Sequence, residues 1–263
     1  MRSVRIEVCV LALCFVCGSA AWAADPADPR LQQPAVATQP TTTAAPEGLH
    51  GSAGFGLSLT DGNSDTLNIN ATVDSTYDPK TGNAMKWNAL YLRGKQNGDL
   101  SVNRFSAMFR DEYSVNARVF MFAQVDSLHD TFKGIDYLIA PAAGIGYKLI
   151  NTKPTTFNVD AGVGGIVERD TGSPAVGNGS ITFSGRLVHQ LSDTTTLKAG
   201  ATGLLKMADL PDGLYTFQVG AAARINSRFQ LAIDLLDTFK NHPIDGNTHK
   251  HDVALVTSIV AKY

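Results

Sequence analysis

The chain has 263 residues, with 22 Lys and Arg against 24 Asp and Glu, and a formal net charge of −2 at pH 7. A nucleic-acid binder would carry a basic field, so this balance excludes nucleic acid as a partner. Beyond the N-terminus, no run reaches the roughly 18 consecutive apolar residues that a membrane helix requires. A membrane protein of this composition would have to be a β-barrel, because only helices and closed barrels satisfy every backbone group in lipid.

The first 23 residues have the three parts of a secretory signal peptide. Two arginines precede a short apolar run at residues 8–16, and Ala21 and Ala23 occupy the small-residue positions of a cleavage site. We predict cleavage after Ala23. The cysteines of the chain all lie within this segment, at Cys9, Cys14 and Cys17. The mature chain is therefore expected to form no disulfide and no thiolate metal site.

Residues 24–48 have a different composition from the rest of the chain. They are rich in Pro, Ala, Thr and Gln and contain almost no large apolar side chain. Such a segment cannot bury enough surface to offset its loss of conformational entropy. We predict a disordered periplasmic linker here, followed by one domain over residues 49–263.

That domain consists of runs of about ten residues in which apolar and polar side chains alternate. Leu67, Ile69 and Val73 alternate with Asn68 and Thr72, for example. Alternation with a period of two predicts strands with one apolar face, and this length suits tilted strands of a membrane barrel. The fold prediction is all-β, a transmembrane antiparallel up-and-down barrel of about twelve strands in the bacterial outer membrane. The predicted strands are 52–60, 66–77, 84–94, 101–113, 118–128, 136–149, 156–167, 179–190, 195–207, 214–225, 228–238 and 251–263.

An exported soluble β-sandwich is the alternative, because alternation alone does not reveal which face is buried. Two features favour the barrel. With a periplasmic N-terminus, the longest connections, 129–135, 168–178 and 239–250, all fall outside the cell, as is typical of these barrels. Aromatic residues also recur near strand ends, as an interfacial girdle requires. They are Trp87, Tyr91, Tyr113, Tyr137, Tyr147 and Tyr215.

Four segments resemble the YdiY-like family: AGIGYKLI at 143–150, LSDTTT at 191–196, DLLDTFKNHP at 234–243 and VALVTSIVAKY at 253–263. The resemblance covers nearly all of the predicted barrel. It implies an outer-membrane barrel of a kind described as salt-induced, and it implies no catalytic site. The final Tyr263 resembles the C-terminal signal that the barrel-assembly machinery recognises. That machinery and outer-membrane lipids are therefore the expected partners.

Cationic side chains alternate with the apolar faces, so we expect them to point into the lumen. Together with many inward Gly, Ser and Thr, which should leave space, they could line a narrow channel that weakly prefers anions. They could equally pair with inward carboxylates such as Glu112, Asp160 and Asp234 and close the lumen. The predicted lumen-facing cations are Lys86, Arg104, Arg110, Lys148, Arg186, Lys198, Lys206 and Arg224.

One loop concentrates imidazoles and carboxylates, which are ligands that Zn²⁺ and Cu²⁺ accept. It contains His242, His249 and His251 with Asp245 and Asp252. The spacing H-x6-H-x-H matches no specific metal motif. A solvated external loop is the simpler interpretation, and we predict no metal site and no cofactor.

An outer-membrane hydrolase would need a Ser-His-acid or Asp-His group. The candidates are His129 with Asp130 and His189 with Ser184. Neither pair lies in a nucleophile motif. The sequence therefore predicts no catalytic residue and no enzyme.

Overall fold

The computed structural model describes residues 47–60, 66–131, 134–241 and 250–263. The predicted signal peptide, and the predicted linker as far as residue 46, lie outside the described residues. The described residues form twelve strands, each of which overlaps one predicted strand. They are β1 (Gly48–Thr60), β2 (Thr66–Asp78), β3 (Asn83–Gln96), β4 (Asp99–Ser114), β5 (Val119–Asp130), β6 (Ile135–Asn151), β7 (Thr155–Asp170), β8 (Val176–Gln190), β9 (Thr195–Lys206), β10 (Asp209–Arg224), β11 (Phe229–Lys240) and β12 (His251–Lys262).

Every strand pairs antiparallel with its neighbours in sequence, and β12 pairs with β1, so the sheet closes into a barrel. This confirms the predicted fold class. The connections after odd-numbered strands include the ten-residue segment 241–250, and we call their side the loop end. The opposite side, which has connections such as 115–118 and 225–228, is the turn end. Among the described residues, no helix is long and apolar enough to span a bilayer.

The predicted alternation sets which side chains enter the lumen. Along β11, Gln230 and Asp234 are buried, whereas Leu231 and Ile233 are exposed on the outer surface. Even-numbered residues face inward and odd-numbered residues face outward in this way along most of the barrel, because successive Cβ atoms of a strand point to opposite faces. This alternation places the apolar side chains of odd-numbered residues on the outer surface of the barrel.

The barrel closes at its C-terminal residue. Gly51 and Tyr263 exchange backbone hydrogen bonds of 3.1 and 3.0 Å. The phenol of Tyr263 also hydrogen-bonds to Ser75 Oγ. A Cβ added to Gly51 would lie 2.6 Å from the Tyr263 hydroxyl, so this close approach requires glycine. From here the β1–β12 ladder runs from Ser52↔Lys262 to Phe55↔Ile259.

Candidate functional site: the barrel lumen

A fully buried arginine organises the lumen near the turn end. The Arg110 side chain, 2% exposed, donates from Nε to Glu112 Oε1 at 2.7 Å and from Nη2 to Asp160 Oδ2 at 3.0 Å. Nη1 donates to Gln124 Oε1. The guanidinium also lies 3.8 Å from the centroid of the Phe122 ring, a distance at which the ring face attracts a cation. Strands β4, β5 and β7 are thereby tied together inside the barrel.

Two further cations complete this cluster, the turn-end network. Lys86 Nζ lies 2.6 Å from Glu112 Oε2, and Arg186 Nη2 lies 2.5 Å from Asp160 Oδ2 and 3.9 Å from Glu112 Oε1. Arg186 is on β8 and Glu112 on β4, so their contact crosses the lumen. The carboxylates are buried, with side chains 4% and 14% exposed for Asp160 and Glu112, whereas those of Arg186 and Lys86 are 33% and 38% exposed. The solvent-facing part of the network is therefore cationic.

Two phenylalanine rings fill the space beside this network. Phe120 and Phe122 on β5 point inward and are buried. A Cβ added to Gly146 on β6 would collide with the Phe120 ring, and one added to Gly162 on β7 would lie 2.9 Å from Phe122 Cζ. The sequence-based expectation that inward glycines leave space is wrong here. These glycines make room for aromatic rings, which occupy it.

An apolar layer lies on the inner surface nearer the loop end. Leu138 on β6 and Ile166 on β7 are buried in a cluster with Leu128, and Leu204 on β9 and Leu214 on β10 pack against it. Because β8 lies between β7 and β9, these side chains meet over the inner face of β8. The sequence reading assigned apolar residues to the lipid face and missed this layer. A signal for it is that two of its segments, 138–140 and 204–205, are apolar at consecutive positions and therefore on both faces.

A second ion-pair cluster, the loop-end network, lies beyond the apolar layer. Glu168 on β7 pairs with Lys206 on β9 at 2.6 Å and with Lys240 on β11 at 3.3 Å. Lys206 also lies 2.8 Å from Asp212. The two Glu168 contacts join strands that are not neighbours, and the one to Lys240 on β11 spans four strand positions, so it crosses the lumen. Arg104, another predicted lumen residue, is buried 4.0 Å from Asp130 on the adjacent strand.

The remaining predicted cations lie closer to the turn end. Lys198 on β9 is buried and interacts electrostatically with Asp234 on β11 and with Asp74 on β2. Arg224 is exposed, and its charge repels that of Lys262. Lys148 is half-buried. The structure thus brings Lys86, Arg110 and Arg186 into one cluster, and places Arg104, Lys148, Lys198, Lys206 and Arg224 apart from it.

One part of the inner surface is not filled, and we call it the open wall. It consists of inward residues on β8, β9 and β10 that are cross-strand neighbours in the sheet. Thr202 is exposed there although it faces the lumen. A Cβ added to Gly200 would meet only the Gly185 carbonyl oxygen, at 3.8 Å. The open wall is formed by Ser184, Arg186, Gly200, Thr202, Thr216 and Gln218.

The candidate hydrolase pairs are not assembled. His189 Nδ1 lies 2.8 Å from the Thr155 hydroxyl on the outward side of β8, whereas Ser184 belongs to the inward side. His129 Nδ1 is 2.8 Å from the Asp136 carbonyl oxygen, whereas Asp130 is buried beside Arg104. In both pairs the histidine and its proposed partner point to opposite faces of the strand, so neither pair can act as a catalytic unit.

The histidine-rich loop falls mostly outside the described residues, including His242, Asp245 and His249. His251 is described, and its Nδ1 lies 3.1 Å from Asp237 Oδ2. Its ring also packs on Phe239 with centroids 4.6 Å apart. Within the described residues, no group of three His, Cys, Asp or Glu is placed to hold a metal ion.

Residues 53–263 match the family described as "Protein of unknown function, DUF481". The chain belongs to this family. It is the family that the YdiY-like resemblance indicated, so that recognition is confirmed. No curated protein matches the sequence significantly.

Solved outer-membrane structures are similar in architecture. An outer-membrane channel from Pseudomonas putida F1 matches with 15% identity and a TM-score of 0.49, over 86% of this chain and 100% of that one. The translocator domain of the autotransporter NalP from Neisseria meningitidis matches with 12% identity and a TM-score of 0.47, over 82% and 88%. The NanC porin matches with 9% identity and a TM-score of 0.46, over 82% and 98%.

Proposed function

We propose that this protein is a bacterial outer-membrane barrel whose lumen is closed along its axis by side chains, rather than a permanently open pore. The outer surface supports the membrane location. Large apolar side chains face outward along the strands, among them Phe55, Ile145, Val163, Ile233 and Ile259. A soluble protein does not expose a continuous apolar band, whereas a closed barrel in lipid requires one.

The loop-end network carries the proposal that the lumen is closed. Glu168 accepts ion pairs from Lys206 and Lys240, which stand on strands two and four positions away. Below it, Leu204 packs against the Leu138–Ile166 cluster, so an apolar layer separates the two charged networks. A hydrated ion would have to cross this layer without water, and hydrophobic constrictions block conduction in this way.

Planar-bilayer recording tests the closure. Folded wild-type protein, verified by its altered gel mobility before boiling, should give no steady conductance. Combining Glu168→Gln with Leu138→Gly and Leu204→Gly removes both barriers near the loop end and should produce discrete steps. The matched control, Ile139→Gly with Leu205→Gly, changes outward neighbours and should remain silent. Steady conductance of the wild type, equal to that of the triple variant, would contradict the closure.

A narrow channel without catalysis is the second candidate function, and the exposed Thr202 in the lumen favours it. Such a channel would weakly prefer anions because of its inward cations. If steps are recorded, neutralising Lys198, Lys206 and Arg224 together should shift the reversal potential toward cations. An unchanged reversal potential would exclude these residues from the conduction path.

The location in the outer membrane has a direct test. The mature protein should fractionate with outer membranes and resist extraction by urea. The turn end should face the periplasm, because its connections have three or four residues whereas the loop end has the ten-residue 241–250, and the longer loops of such barrels lie outside the cell. Recovery of the protein as a soluble periplasmic species would refute the membrane location.

We also propose Tyr263 as the residue that the assembly machinery recognises. Its backbone and phenol both hold the closing seam, through Gly51 and Ser75. Deleting Tyr263 should reduce the amount of folded barrel far more than deleting residues 26–45, because an unpaired closing strand leaves a sheet edge in lipid. Equal barrel levels for the two deletions would exclude this role. Tyr263→Phe, which keeps the ring and removes the hydroxyl, separates recognition from the bond to Ser75.

A further inference from the structure

The open wall has both space and charge in an otherwise packed lumen. Inward glycines away from the strand ends are covered elsewhere: a Cβ at Gly54 would lie 2.5 Å from Thr72 Oγ1, and one at Gly94 would lie 2.6 Å from Asn68 Oδ1. Gly200 has no such neighbour, and Thr202 beside it is exposed. A cavity therefore lies against β8–β10, inside the barrel.

Arg186 provides the charge of this cavity. Within the described residues it makes its ion pairs through Nη2 alone, to Asp160 and Glu112. Nε and Nη1 remain available, and a third of the side chain is exposed. Asp126, the half-buried carboxylate on the facing side of the network, is held by Gln124 Nε2 at 2.7 Å. An N–H group of this guanidinium that makes no ion pair can donate to one oxygen of a carboxylate or phosphate, and the charge strengthens that hydrogen bond.

Unsatisfied hydroxyls on β8 are a second, independent observation. Thr182 faces the lumen and is only 8% exposed, yet its Oγ1 has no hydrogen-bond partner among the described residues. Ser184 Oγ, two residues along the same face, also lacks a partner there. Buried polar groups without partners are uncommon, because each costs the free energy of its lost hydration. A ligand bound at Arg186 would lie nearest the Ser184 hydroxyl, because Ser184 pairs with Thr202 whereas Thr182 pairs with Leu204 of the apolar layer.

Apolar side chains and ion pairs bound the cavity toward the loop end. Leu204 and Leu214 pack there against the Leu138–Ile166 cluster, and the Glu168 ion pairs lie beyond them. Toward the turn end, the exposed parts of Arg186 and Lys86 are cationic. A solute would therefore enter from the turn end and meet positive charge first.

We propose that the open wall is a dead-end binding site for a small solute bearing a carboxylate or phosphate, anchored by Arg186 and reached from the periplasm. The site deepens the proposed function and rests on it, because the closed loop end makes the cavity a pocket rather than part of a pore.

Thiol labelling tests the site directly, because the predicted mature chain contains no cysteine. Thr202→Cys in the folded barrel should react with a small water-soluble methanethiosulfonate. Ala201→Cys, its outward neighbour, should not react, because its side chain faces lipid. Absence of labelling at Thr202→Cys in folded protein would show that no accessible cavity exists and would overturn the proposal.

Protection by anions tests the ligand class. Inorganic phosphate and acetate are added in separate arms. At about ten times its dissociation constant, a bound anion should slow labelling of Thr202→Cys about tenfold, because the free site scales as 1/(1 + [L]/Kd). Whichever anion protects at lower concentration identifies the preferred headgroup. Chloride at equal ionic strength is the control. Equal protection by chloride would mean that the cavity holds an adventitious ion only, and this result would overturn the proposed site.

The role of Arg186 is tested in the same background. Arg186→Gln should abolish protection while Thr202→Cys still labels, and Arg186→Lys should retain part of it because the charge remains. Full protection in a folded Arg186→Gln barrel would overturn the assignment. If Arg186→Gln does not fold, Arg186→Lys decides, since loss of the guanidinium N–H groups must still weaken protection by either anion.

Sidedness distinguishes failure of this inference from failure of the proposed function. In intact cells Thr202→Cys should remain unlabelled, whereas Ala175→Cys in the 171–175 connection should react. Permeabilising the outer membrane should expose Thr202→Cys. Labelling of Thr202→Cys in intact cells, together with steady wild-type conductance, would refute the closure. Labelling in intact cells without conductance would overturn only the proposed periplasmic entry.

Discussion

The inner surfaces of β5–β7 and of β8–β10 are both rich in small residues, but only the first is filled. On β5–β7, the glycines at 146 and 162 lie beneath Phe120 and Phe122. On β8–β10, no side chain comes within 4 Å of a Cβ added to Gly200, and Thr202 is exposed. The comparison shows that an inward glycine in a barrel leaves space only where no bulky residue on a neighbouring strand covers it.

The two regions also differ in how they hold charge. On the filled side, Arg110 is fully buried and every donor group has a partner. Beside the open wall, Arg186 is paired through one nitrogen and is partly exposed. The first arrangement fixes the barrel, and the second leaves donors available to a ligand. Stability should therefore depend on the filled side, and ligand binding on the open wall.

The largest expected effect is on the filled side. Phe122→Ala removes a buried ring from between Gly162 and the Arg110 guanidinium, and should lower the free energy of unfolding by about 3–5 kcal/mol. Thr202→Ala on the open wall is the control and should change it by less than about 0.5 kcal/mol. Urea unfolding in lipid vesicles, followed by tryptophan fluorescence, measures both. Equal losses would show that the two regions are packed alike.

The sequence was sufficient to predict the number of strands, because each strand carries its own alternation. β2 shows this in the run from Leu67 to Val73, and β11 shows it in Leu231 to Leu235. The predicted ends of the strands were less accurate. β10 begins at Asp209 rather than at residue 214, since its ladder with β9 is irregular between Asp209 and Gly213. Local patterns do not report such an irregularity.

The filling of the lumen could not be predicted in the same way. The cationic candidates were selected one strand at a time from the alternation, whereas Glu168 reaches Lys240 across four strands. Such a contact depends on how far the barrel walls lie apart, which no local pattern encodes. The sequence does not assign Phe120 and Phe122 to one face, because β5 is apolar on both faces near its start.

The next prediction tests whether the open wall faces water rather than lipid. Val219 and Gln218 are neighbours on β10, and Val219 is exposed on the outside. Val219→Arg should lower the free energy of unfolding by about 2–4 kcal/mol, the cost of arginine at the bilayer midplane. Gln218→Arg should cost much less, because its side chain enters the hydrated cavity. Equal costs would reverse the assignment of inside and outside on this strand.

A smaller effect is expected from adding one methyl group on each side of the comparison. A Cβ at Gly164 would collide with the Pro141 carbonyl oxygen and lie 2.7 Å from Ala142 Cα, both of them backbone. Gly164→Ala should therefore cost about 1–3 kcal/mol through overpacking. Gly200→Ala, which meets an atom only at 3.8 Å, should be nearly neutral. Thermal or urea unfolding of the two variants measures the difference. If Gly164→Ala leaves the free energy of unfolding unchanged, β6 and β7 lie further apart than the structure shows.

The smallest effect compares two serines on the inner face of β8. Ser180 is fully buried and its hydroxyl donates to the Gly165 carbonyl at 3.2 Å, whereas Ser184 Oγ has no partner among the described residues. Ser180→Ala should lower the free energy of unfolding by about 1 kcal/mol through loss of that hydrogen bond. Ser184→Ala should change it by less than about 0.5 kcal/mol, because no hydrogen bond within the protein is lost.

The same measurement of the two serine variants, repeated in phosphate or acetate, then sharpens the comparison. If the Ser184 hydroxyl contacts the bound anion, the stabilisation by that anion should shrink in Ser184→Ala and remain unchanged in Ser180→Ala. Equal stabilisation of both variants would remove Ser184 from the site and leave Arg186 as its anchor without that hydroxyl.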